Sequence, residues 1–291
     1  MKNEIKHIEG ADFRKMQLLE LDCIVEFDKV CRANNIKYCI CGGTMLGAVR
    51  HKGYIPWDDD ADLILLREDY EKFKKVANQM NPEICFFQDH ETDPAYKWGY
   101  GKLRRTNTKY IRCGQSHVNS KNGVFVDVFP MDDIPLTVIG MIWQDFYLWT
   151  LRKVTYSEVG MVSEKKFFWR LFYKLLNKID YEKIYKKLMK EASKSSNSTP
   201  NRVRCLSYPS QGKSNPKNSL KERYGKPKDW YLNLSEYEFE GFKFWGTTDY
   251  DSILRYDYGD DYMVPPSAAG KACHSPCEEY DFSHVEPYYK K

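Results

Sequence analysis

The sequence contains no long hydrophobic run. Its 291 residues include no apolar stretch of about 18 residues, the length that a helix needs to cross a bilayer. The first ten residues, MKNEIKHIEG, also lack the apolar run of a signal peptide. A conventional membrane span is therefore excluded, and we expect a cytoplasmic protein.

A large excess of charge of one sign is also missing. The formal net charge of +4 is too small to indicate a nucleic-acid partner. The charge is unevenly placed, because residues 136–200 contain 12 Lys and Arg but only 6 Asp and Glu. The positive excess therefore belongs to one segment of the chain.

The cysteines do not complete a zinc motif. Nine cysteines, an odd number, are typical of free thiols in a reducing compartment. The spacing of Cys273 and Cys277 would suit zinc, but a closed zinc site needs four ligands and no second pair is obvious. We therefore do not expect zinc at Cys273 and Cys277.

In the first 135 residues, segments with helical periodicity alternate with segments typical of strands. This alternation predicts a mixed α/β fold for that part of the chain. The predicted helices cover 13–34 and 68–80. The predicted strands cover 37–41, 60–66, 84–88, 96–104, 108–112 and 123–129, the last one closed by Pro130. From about residue 136 the character changes, and 138–153 and 164–192 are predicted to be helical.

The segment PWDDDAD at 56–62 is the most informative part of the sequence. In an extended chain alternate side chains share a face, so Asp58, Asp60 and Asp62 are predicted to project together. Three such carboxylates repel one another unless a cation lies between them, and oxygen ligands favour Mg²⁺ or Mn²⁺. The alternative is a solvated acidic turn. The apolar run that follows at 63–66 favours the metal site, because carboxylates beside a buried strand are costly unless paired.

Asp127 lies within the apolar segment VFVDV at 124–128, where an unpaired carboxylate would also be costly. Two interpretations are equally compatible with the sequence. Asp127 is either a third metal ligand on a neighbouring strand or a structural aspartate that backbone donors or a nearby lysine satisfy.

A glycine pair follows the predicted strand at 37–41 and precedes a short predicted helix. Glycines allow backbone N–H groups to approach a phosphate, and the N-terminus of the following helix adds a favourable dipole. On the predicted strand at 96–104, Lys102 and Arg104 would share one face. The candidate phosphate-binding residues are Gly42, Gly43, Thr44, Arg50, Lys102 and Arg104.

The segment GGTMLGAVRHKGYIPWDDDAD at 42–62 strongly resembles the signature of the LicD family. The resemblance continues through KLR at 102–104, NT at 107–108 and GVFVDVFP at 123–130. It returns in FEGFKF at 239–244 and YGDDYMVPP at 258–266, leaving 136–200 unmatched. Members of this family transfer phosphorylcholine, or a related phospho-substituent, to bacterial surface glycans such as teichoic acids. Fukutin and fukutin-related protein are similar to them.

The resemblance implies a nucleotidyltransferase-like fold and a metal-dependent phosphotransferase that uses a CDP-linked donor, usually CDP-choline, and releases CMP. It assigns Asp60 and Asp62 as paired metal ligands and Asp127 as the third, with Asp58 in support. The acceptor would be a glycan or a lipid-linked glycan. A choline head group would suit an aromatic cage, and ethanolamine, aminoethylphosphonate and polyol head groups remain open. The candidate cage residues are Trp57, Trp98, Tyr100, Tyr256 and Tyr258.

The same resemblance suggests three parts of the chain. Residues 1–135 would be the nucleotidyltransferase-like catalytic core, 136–200 a basic amphipathic helical insertion, and 201–291 a largely irregular part that completes the catalytic domain. Two other functions stay open. One is a true nucleotidyltransferase that forms a CDP- or AMP-linked product from a nucleoside triphosphate, and the other is a non-catalytic nucleotide-binding protein.

Residues 138–192 are predicted to form a helical element at a membrane surface. Within 165–179, apolar side chains recur at helical spacing, and Lys166, Arg170, Lys174 and Lys178 recur every four residues. This pattern is typical of a helix that lies in an anionic interface and would hold the protein peripherally at the inner face of a membrane. The competing interpretation, slightly favoured, is that the apolar stripe packs on the catalytic core.

Overall fold

A computed structural model describes residues 5–194, 201–213, 215–267 and 276–289 of the chain. The helices are α1 (Gly10–Ala33), α2 (Gly42–His51), α3 (Arg67–Val76), α4 (Val138–Thr155), α5 (Ser157–Ser163), α6 (Phe167–Leu176), α7 (Tyr181–Ala192) and α8 (Tyr250–Tyr258). The strands are β1 (Cys39–Ile40), β2 (Asp62–Leu66), β3 (Cys85–Gln88), β4 (Gly101–Arg105), β5 (Lys109–Arg112), β6 (Phe125–Asp133), β7 (Arg202–Arg204), β8 (Lys226–Pro227), β9 (Leu234–Phe239), β10 (Phe242–Thr247) and β11 (Cys277–Asp281). The predicted mixed α/β class is confirmed.

A seven-stranded mixed sheet forms the centre of the fold. Its main order is β1-β2-β6-β4-β3, and β7 and β8 continue it from the far end of β6. β2 and β6 are parallel, whereas β4 runs antiparallel to β6 and β3 antiparallel to β4. Two smaller pairs, β9 with β10 and β5 with β11, lie outside this sheet.

Helix α1 covers one face of the sheet, where it packs on β3, β4 and β6. Its apolar stripe is buried there, and Arg105 of β4 donates to Asp22 of α1 at 3.0 Å. Because side chains alternate along a strand, Lys102 and Arg104 project from the face opposite to Arg105. Lys102 and Arg104 are therefore separated from the Arg105–Asp22 ion pair by the sheet.

Strand β6 continues through Pro130 to Asp133, so the prediction that Pro130 closes it was wrong. Pairing with β4 stops at Val128, and pairing with β7 begins at Asp132. Pro130 lies between these two ladders, where its missing N–H group is not required by either of them. The predicted strand at 96–104 also proved shorter, since only Gly101–Arg105 is paired with its neighbours.

Elements after residue 200 pack against elements from the first part of the chain. β9 and β10 form a hairpin whose turn residues, Glu240 and Gly241, both have positive φ, as a tight turn between twisted strands requires. Helix α8 packs on α2 and places Tyr258 beside the start of that helix.

The apolar stripe predicted within residues 165–179 is largely exposed, contrary to the favoured expectation. The favoured expectation was packing on the catalytic core, but in α6 only Tyr173 is fully buried, and Phe168 is 81% exposed. The predicted helix at 164–192 is also divided into α6 and α7 by a break at 177–180. In the described parts of the chain, no helix has both the length and the apolar character needed to span a bilayer.

Candidate active site

The acidic segment at 58–62 is a loop that three other elements hold in place. Gln17 of α1 donates to the carbonyl oxygen of Asp58 at 2.9 Å. The hydroxyl of Thr44 accepts the backbone N–H of Asp62 at 2.9 Å, and Asp127 donates its backbone N–H to Ala61 at 3.0 Å. These bonds fix the point at which the loop becomes strand β2.

A row of three charged side chains crosses the sheet where β2 begins. In the parallel ladder Asp62 is the register partner of Asp127, and in the antiparallel ladder Asp127 is the partner of Lys102. Register partners project from the same face, so the three side chains lie side by side. Lys102 Nζ forms a buried ion pair with Oδ1 of Asp127. We call this set the charged row.

The carboxylates around this row destabilise one another's charged forms. Burial, together with Asp60 and Asp59, raises the pKa of Asp58 to about 7. Burial, with Asp59 and Asp127, raises the pKa of Asp60 to about 6. The pKa of Asp62 is raised well above its usual range, first by burial and then by Asp60 and Asp127. Burial in turn lowers the pKa of Lys102 to about 7.

The donor set suits a hard divalent cation. One oxygen each of Asp58, Asp59 and Asp60 can be chosen so that the three lie within 4.8 Å of one another. Asp60 also interacts electrostatically with Asp62 and Asp127, so it joins this group to the charged row. All the donors are carboxylate oxygens, which are ligands typical of Mg²⁺ or Mn²⁺ rather than zinc.

Helix α2 begins directly opposite the carboxylates. A Cβ atom on Gly42 would lie 3.2 Å from Oδ2 of Asp62, and one on Gly43 would collide with the carboxylate of Asp58. Gly42 also has a φ of +54°, which favours glycine. Only glycine therefore allows this helix N-terminus to approach the acids so closely. Thr44, a predicted phosphate ligand, is buried and already accepts from Asp62.

A cavity of about 600 Å³ lies over these groups, and we call it the acidic cavity. It brings together residues that are far apart in the sequence: the glycine pair, the acidic loop and the YGDDYMVPP segment at 258–266. Its lining includes Gly42, Gly43, Arg50, Trp57, Asp58, Asp60, Asp62, Tyr258, Asp261 and Tyr262. Arg50 donates to the carbonyl oxygen of Tyr262 at 2.8 Å, which joins the two segments across the cavity.

Lys102 and Arg104 share a face of β4, as predicted, but they have different partners. Arg104 donates to Oε1 of Gln88 at 2.7 Å and to the carbonyl oxygen of Gly123 at 2.9 Å. Both cations are buried. Lys102 is thus directed at the carboxylates, whereas the hydrogen bonds of Arg104 hold the segment that precedes β6.

The five predicted cage aromatics are not brought together. Trp57 and Tyr258 line the acidic cavity, whereas Trp98 and Tyr100 line a separate cavity of about 750 Å³. Tyr256 belongs to neither, because the helical spacing of α8 turns it away from Tyr258. Its hydroxyl donates to the carbonyl oxygen of Glu222, so the structure places Tyr256 apart from the other candidate cage residues.

Three residues near the acids were not predicted. Arg112 of β5 faces the charged row; burial opposes its charge, but Asp127 and Asp60 keep its pKa above the ordinary value. Glu20 of α1 is buried, and burial together with Asp60, Asp59 and Asp58 raises its pKa well above the usual range. Asp59 is buried between its neighbours. An acid on the apolar stripe of α1 was a usable signal for Glu20, whereas the sequence contains no comparable signal for Arg112.

Two other features do not contribute to this site. A further cavity, of about 900 Å³, lies between α3 and α7, away from the carboxylates, and ion pairs such as that of Lys74 with Glu91 line it. Cys277 is buried in β11, and Cys273 lies outside the described residues, so the expectation about zinc is untested there.

We predict that Asp62→Asn removes stabilisation by Mg²⁺ without weakening the metal-free fold. The amide keeps the shape of the side chain and relieves repulsion with Asp60 and Asp127. In EDTA the melting temperature of this variant should equal or exceed that of the wild type. The wild-type melting temperature should rise with Mg²⁺ concentration, because a ligand that binds the folded state stabilises it.

The control is Glu68→Gln, which removes one exposed carboxylate on α3. It should keep the full response to Mg²⁺. An unchanged Mg²⁺ response in Asp62→Asn would show that Asp62 is not a metal ligand.

Comparison with known proteins gives matches that include these residues. Residues 35–158 match the family model described as "LicD/FKTN/FKRP, nucleotidyltransferase domain". The match contains the glycine pair, the acidic loop and the charged row, and it extends through α4 into α5.

Two relatives illustrate the extent of the similarity. The lipopolysaccharide cholinephosphotransferase LicD of Haemophilus influenzae is 33% identical over 123 residues, which cover 42% of this chain and 45% of that protein. An uncharacterized protein of Rickettsia typhi is 37% identical over 76 residues, 26% of this chain and 24% of the relative. The matches thus span less than half the length of either relative. The similarity to the LicD family thus lies in residues 35–158, which match its nucleotidyltransferase domain.

Proposed function

We propose that this protein is a LicD-type transferase that moves a substituted phosphoryl group from a CDP-linked donor to a hydroxyl group, releasing CMP. The favoured group is phosphorylcholine, and the favoured acceptor is a cell-surface glycan or its lipid-linked precursor. The observation that carries the proposal is the charged row, which lies beside the acidic loop and faces a glycine-opened helix N-terminus. The name of the Haemophilus influenzae relative supports the choice of group and acceptor.

Asp60, Asp62 and Asp127, with Asp58 beside them, would hold Mg²⁺ or Mn²⁺. When bound, such a cation neutralises charge on the diphosphate and makes the phosphorus a better electrophile. The protein's own residues bind and orient the donor. The N-terminus of α2 presents backbone N–H groups to the phosphates at Gly42 and Gly43, and Arg50 and Arg112 supply positive charge from either side.

In the proposed reaction the hydroxyl oxygen of the acceptor forms a bond to the phosphorus that carries the head group. The bond from that phosphorus to the bridging oxygen breaks, and the electron pair leaves with CMP. Asp127 is the proposed acceptor of the hydroxyl proton. Lys102 is paired with its Oδ1, which orients the carboxylate and leaves Oδ2 for the reacting groups.

Two aromatic surfaces are available for the head group. Trp57 and Tyr258 flank the acids within the acidic cavity, and Trp98 and Tyr100 line the neighbouring cavity beside Arg112. A quaternary ammonium gains about 0.5–2 kcal/mol from each ring face it contacts. We favour the pair at Trp57 and Tyr258, because the donor's diphosphate would lie against the adjacent acidic loop.

The test of this function is a screen of donors with the full chain. CDP-choline, CDP-ethanolamine, CDP-ribitol and CMP-aminoethylphosphonate are each incubated with a bacterial envelope extract, with Mg²⁺ or with EDTA. We expect Mg²⁺-dependent release of CMP with at least one donor, most rapidly with CDP-choline. Pyrophosphate release from CTP and phosphocholine would instead identify a true nucleotidyltransferase, and Mg²⁺-dependent binding of every donor without product would identify a non-catalytic protein.

We predict that Asp127→Asn loses most of the rate of CMP release and also loses stability. The substitution removes the proposed base, and it leaves the buried ammonium group of Lys102 without its partner, which typically costs about 3–5 kcal/mol. The double variant Lys102→Met/Asp127→Asn removes both charges, so it should recover much of the melting temperature without recovering the rate. A normal rate in Asp127→Asn together with a lower melting temperature would mean that Asp127 is only structural.

We predict that Arg112→Gln lowers the rate of CMP release by about a hundredfold, the usual cost of removing one charged donor from a developing negative charge. Arg112→Lys should restore part of the rate, since it keeps the charge but not the planar group. The control is Lys109→Gln on the same strand, an exposed residue paired with Glu279, which should behave as the wild type. Equal rates in Arg112→Gln and the control would exclude Arg112 from the site.

A further inference from the structure

The exposed hydrophobic side chains of this protein are concentrated in one segment. Of 25 large hydrophobic side chains that are exposed in the described chain, 16 lie within residues 136–179. All three exposed tryptophans, Trp143, Trp149 and Trp169, are among them. Such a concentration marks an interaction surface, because single scattered apolar residues are the usual pattern.

Helix α6 directs its apolar side outward. Tyr173 is its buried residue and packs against Gly160 of α5, where a Cβ atom would lie 2.6 Å from the ring. At 100° per residue, Phe168, Leu171 and Leu175 lie on the opposite side of the helix from Tyr173. Their exposed fractions are 81%, 46% and 57%. A helix that packed on the core would have the reverse orientation.

Helix α4 has apolar residues on two sides, and only one of them is covered. Met141, Leu148 and Leu151 are buried where the helix packs on α7. The other side exposes Ile139, Ile142, Trp143, Phe146 and Trp149, which recur at helical spacing. The rings of Phe146 and Trp149 are stacked at 6.1 Å, so this side is an ordered aromatic stripe.

Lys153 joins the outer sides of the two helices. Its ammonium group lies 5.6 Å from the ring of Trp149 on α4 and 5.5 Å from that of Trp169 on α6. It also donates to the hydroxyl of Tyr173 at 2.9 Å. The two exposed stripes therefore form one continuous patch, which we call the α4–α6 surface.

The margin of this surface is basic. Lys165, Lys166, Arg170, Lys174 and Lys178 are all exposed, and α6 itself contains no acidic residue. Across the described residues, none of these five cations forms an ion pair or a side-chain hydrogen bond with the protein. Their charge is thus available to an outside partner of negative charge.

We propose that the α4–α6 surface docks on the interface of a bilayer that contains anionic lipids. Tryptophan and phenylalanine at the centre with lysine and arginine at the edge is the composition of an interfacial helix. The cations at this edge, with no acidic residue on α6 between them, complement the negative charge of anionic lipid head groups. The charge complementarity therefore favours a lipid surface over a second protein.

The position of this surface also suggests a route by which the acceptor would reach the site. This extension rests on the proposed function. The cavity of about 750 Å³ is lined by Trp149 and Lys153 from the α4–α6 surface, by Tyr173 from the buried side of α6, and by Tyr100 and Arg112 from the side of the charged row. A lipid-borne hydroxyl acceptor would enter through this cavity. The docking itself requires no turnover, so it can be tested separately.

The test is sedimentation of the full chain with vesicles of phosphatidylcholine alone and of phosphatidylcholine mixed with phosphatidylglycerol. We expect binding to the mixed vesicles at low salt, weaker binding at high salt, and little binding to phosphatidylcholine. Lys166→Gln/Arg170→Gln/Lys174→Gln should weaken binding on the order of a hundredfold, since each cation near an anionic surface contributes about fivefold. The matched control, Lys75→Gln/Lys221→Gln/Lys243→Gln, removes three exposed cations elsewhere and should bind as the wild type.

Phe168→Ser/Leu175→Ser tests the apolar contribution, and because both side chains are exposed the variant should fold normally and bind weakly. Failure of the wild type to bind mixed vesicles at low salt, or equal loss in both triple variants, would overturn the proposal. So would a dimer in solution that Phe168→Ser/Leu175→Ser converts to a monomer, since the surface would then hold a second copy. Absence of CMP release would affect only the proposed function.

Discussion

The structure around the site depends on one electrostatic constraint, the repulsion between several carboxylates that lie side by side in a largely buried position. Asp62 and Asp127 are register partners in a parallel ladder, and Lys102 completes the charged row as the antiparallel partner of Asp127. One lysine cannot neutralise Asp62, Asp127 and the adjacent Asp60 and Asp58. Burial, and then the neighbouring carboxylates, raise the pKa values of Asp58 and Asp60, and a divalent cation would offset both effects.

Much of the surrounding fold serves to hold this arrangement. Arg105 pairs with α1 on one face of β4, which leaves Lys102 for the opposite face. Gly42 and Gly43 let α2 begin against the acids, and α8 brings Tyr258 from the end of the chain to close the acidic cavity. The site is therefore assembled from the start, middle and end of the sequence. Such an assembly gives a preorganised polar environment, which is how sites for charged transition states act.

The sequence predicted which acidic side chains lie near one another better than it predicted the residues around them. Asp58, Asp60 and Asp62 line one cavity, as predicted, although 58–61 is a loop and not the extended strand that the prediction assumed. A single acid in an apolar strand pointed to Asp127. Both inferences depend on local periodicity and on the cost of burying charge. Arg112 was missed because β5 pairs with β11 near the end of the chain, a contact that no local pattern encodes. Tyr256 and Tyr258 were both candidate cage residues, but residues two positions apart on a helix point in different directions. The exposure of α6 was also unpredictable, because an amphipathic pattern identifies an apolar face but not what covers it.

The most direct measurement is the anomalous X-ray scattering of Mn²⁺ in crystals of the full chain. We expect a peak bound by carboxylate oxygens of Asp60, Asp62 and Asp127, at the charged row. A peak held only by the loop residues Asp58 and Asp59, or no peak at saturating Mn²⁺, would contradict it.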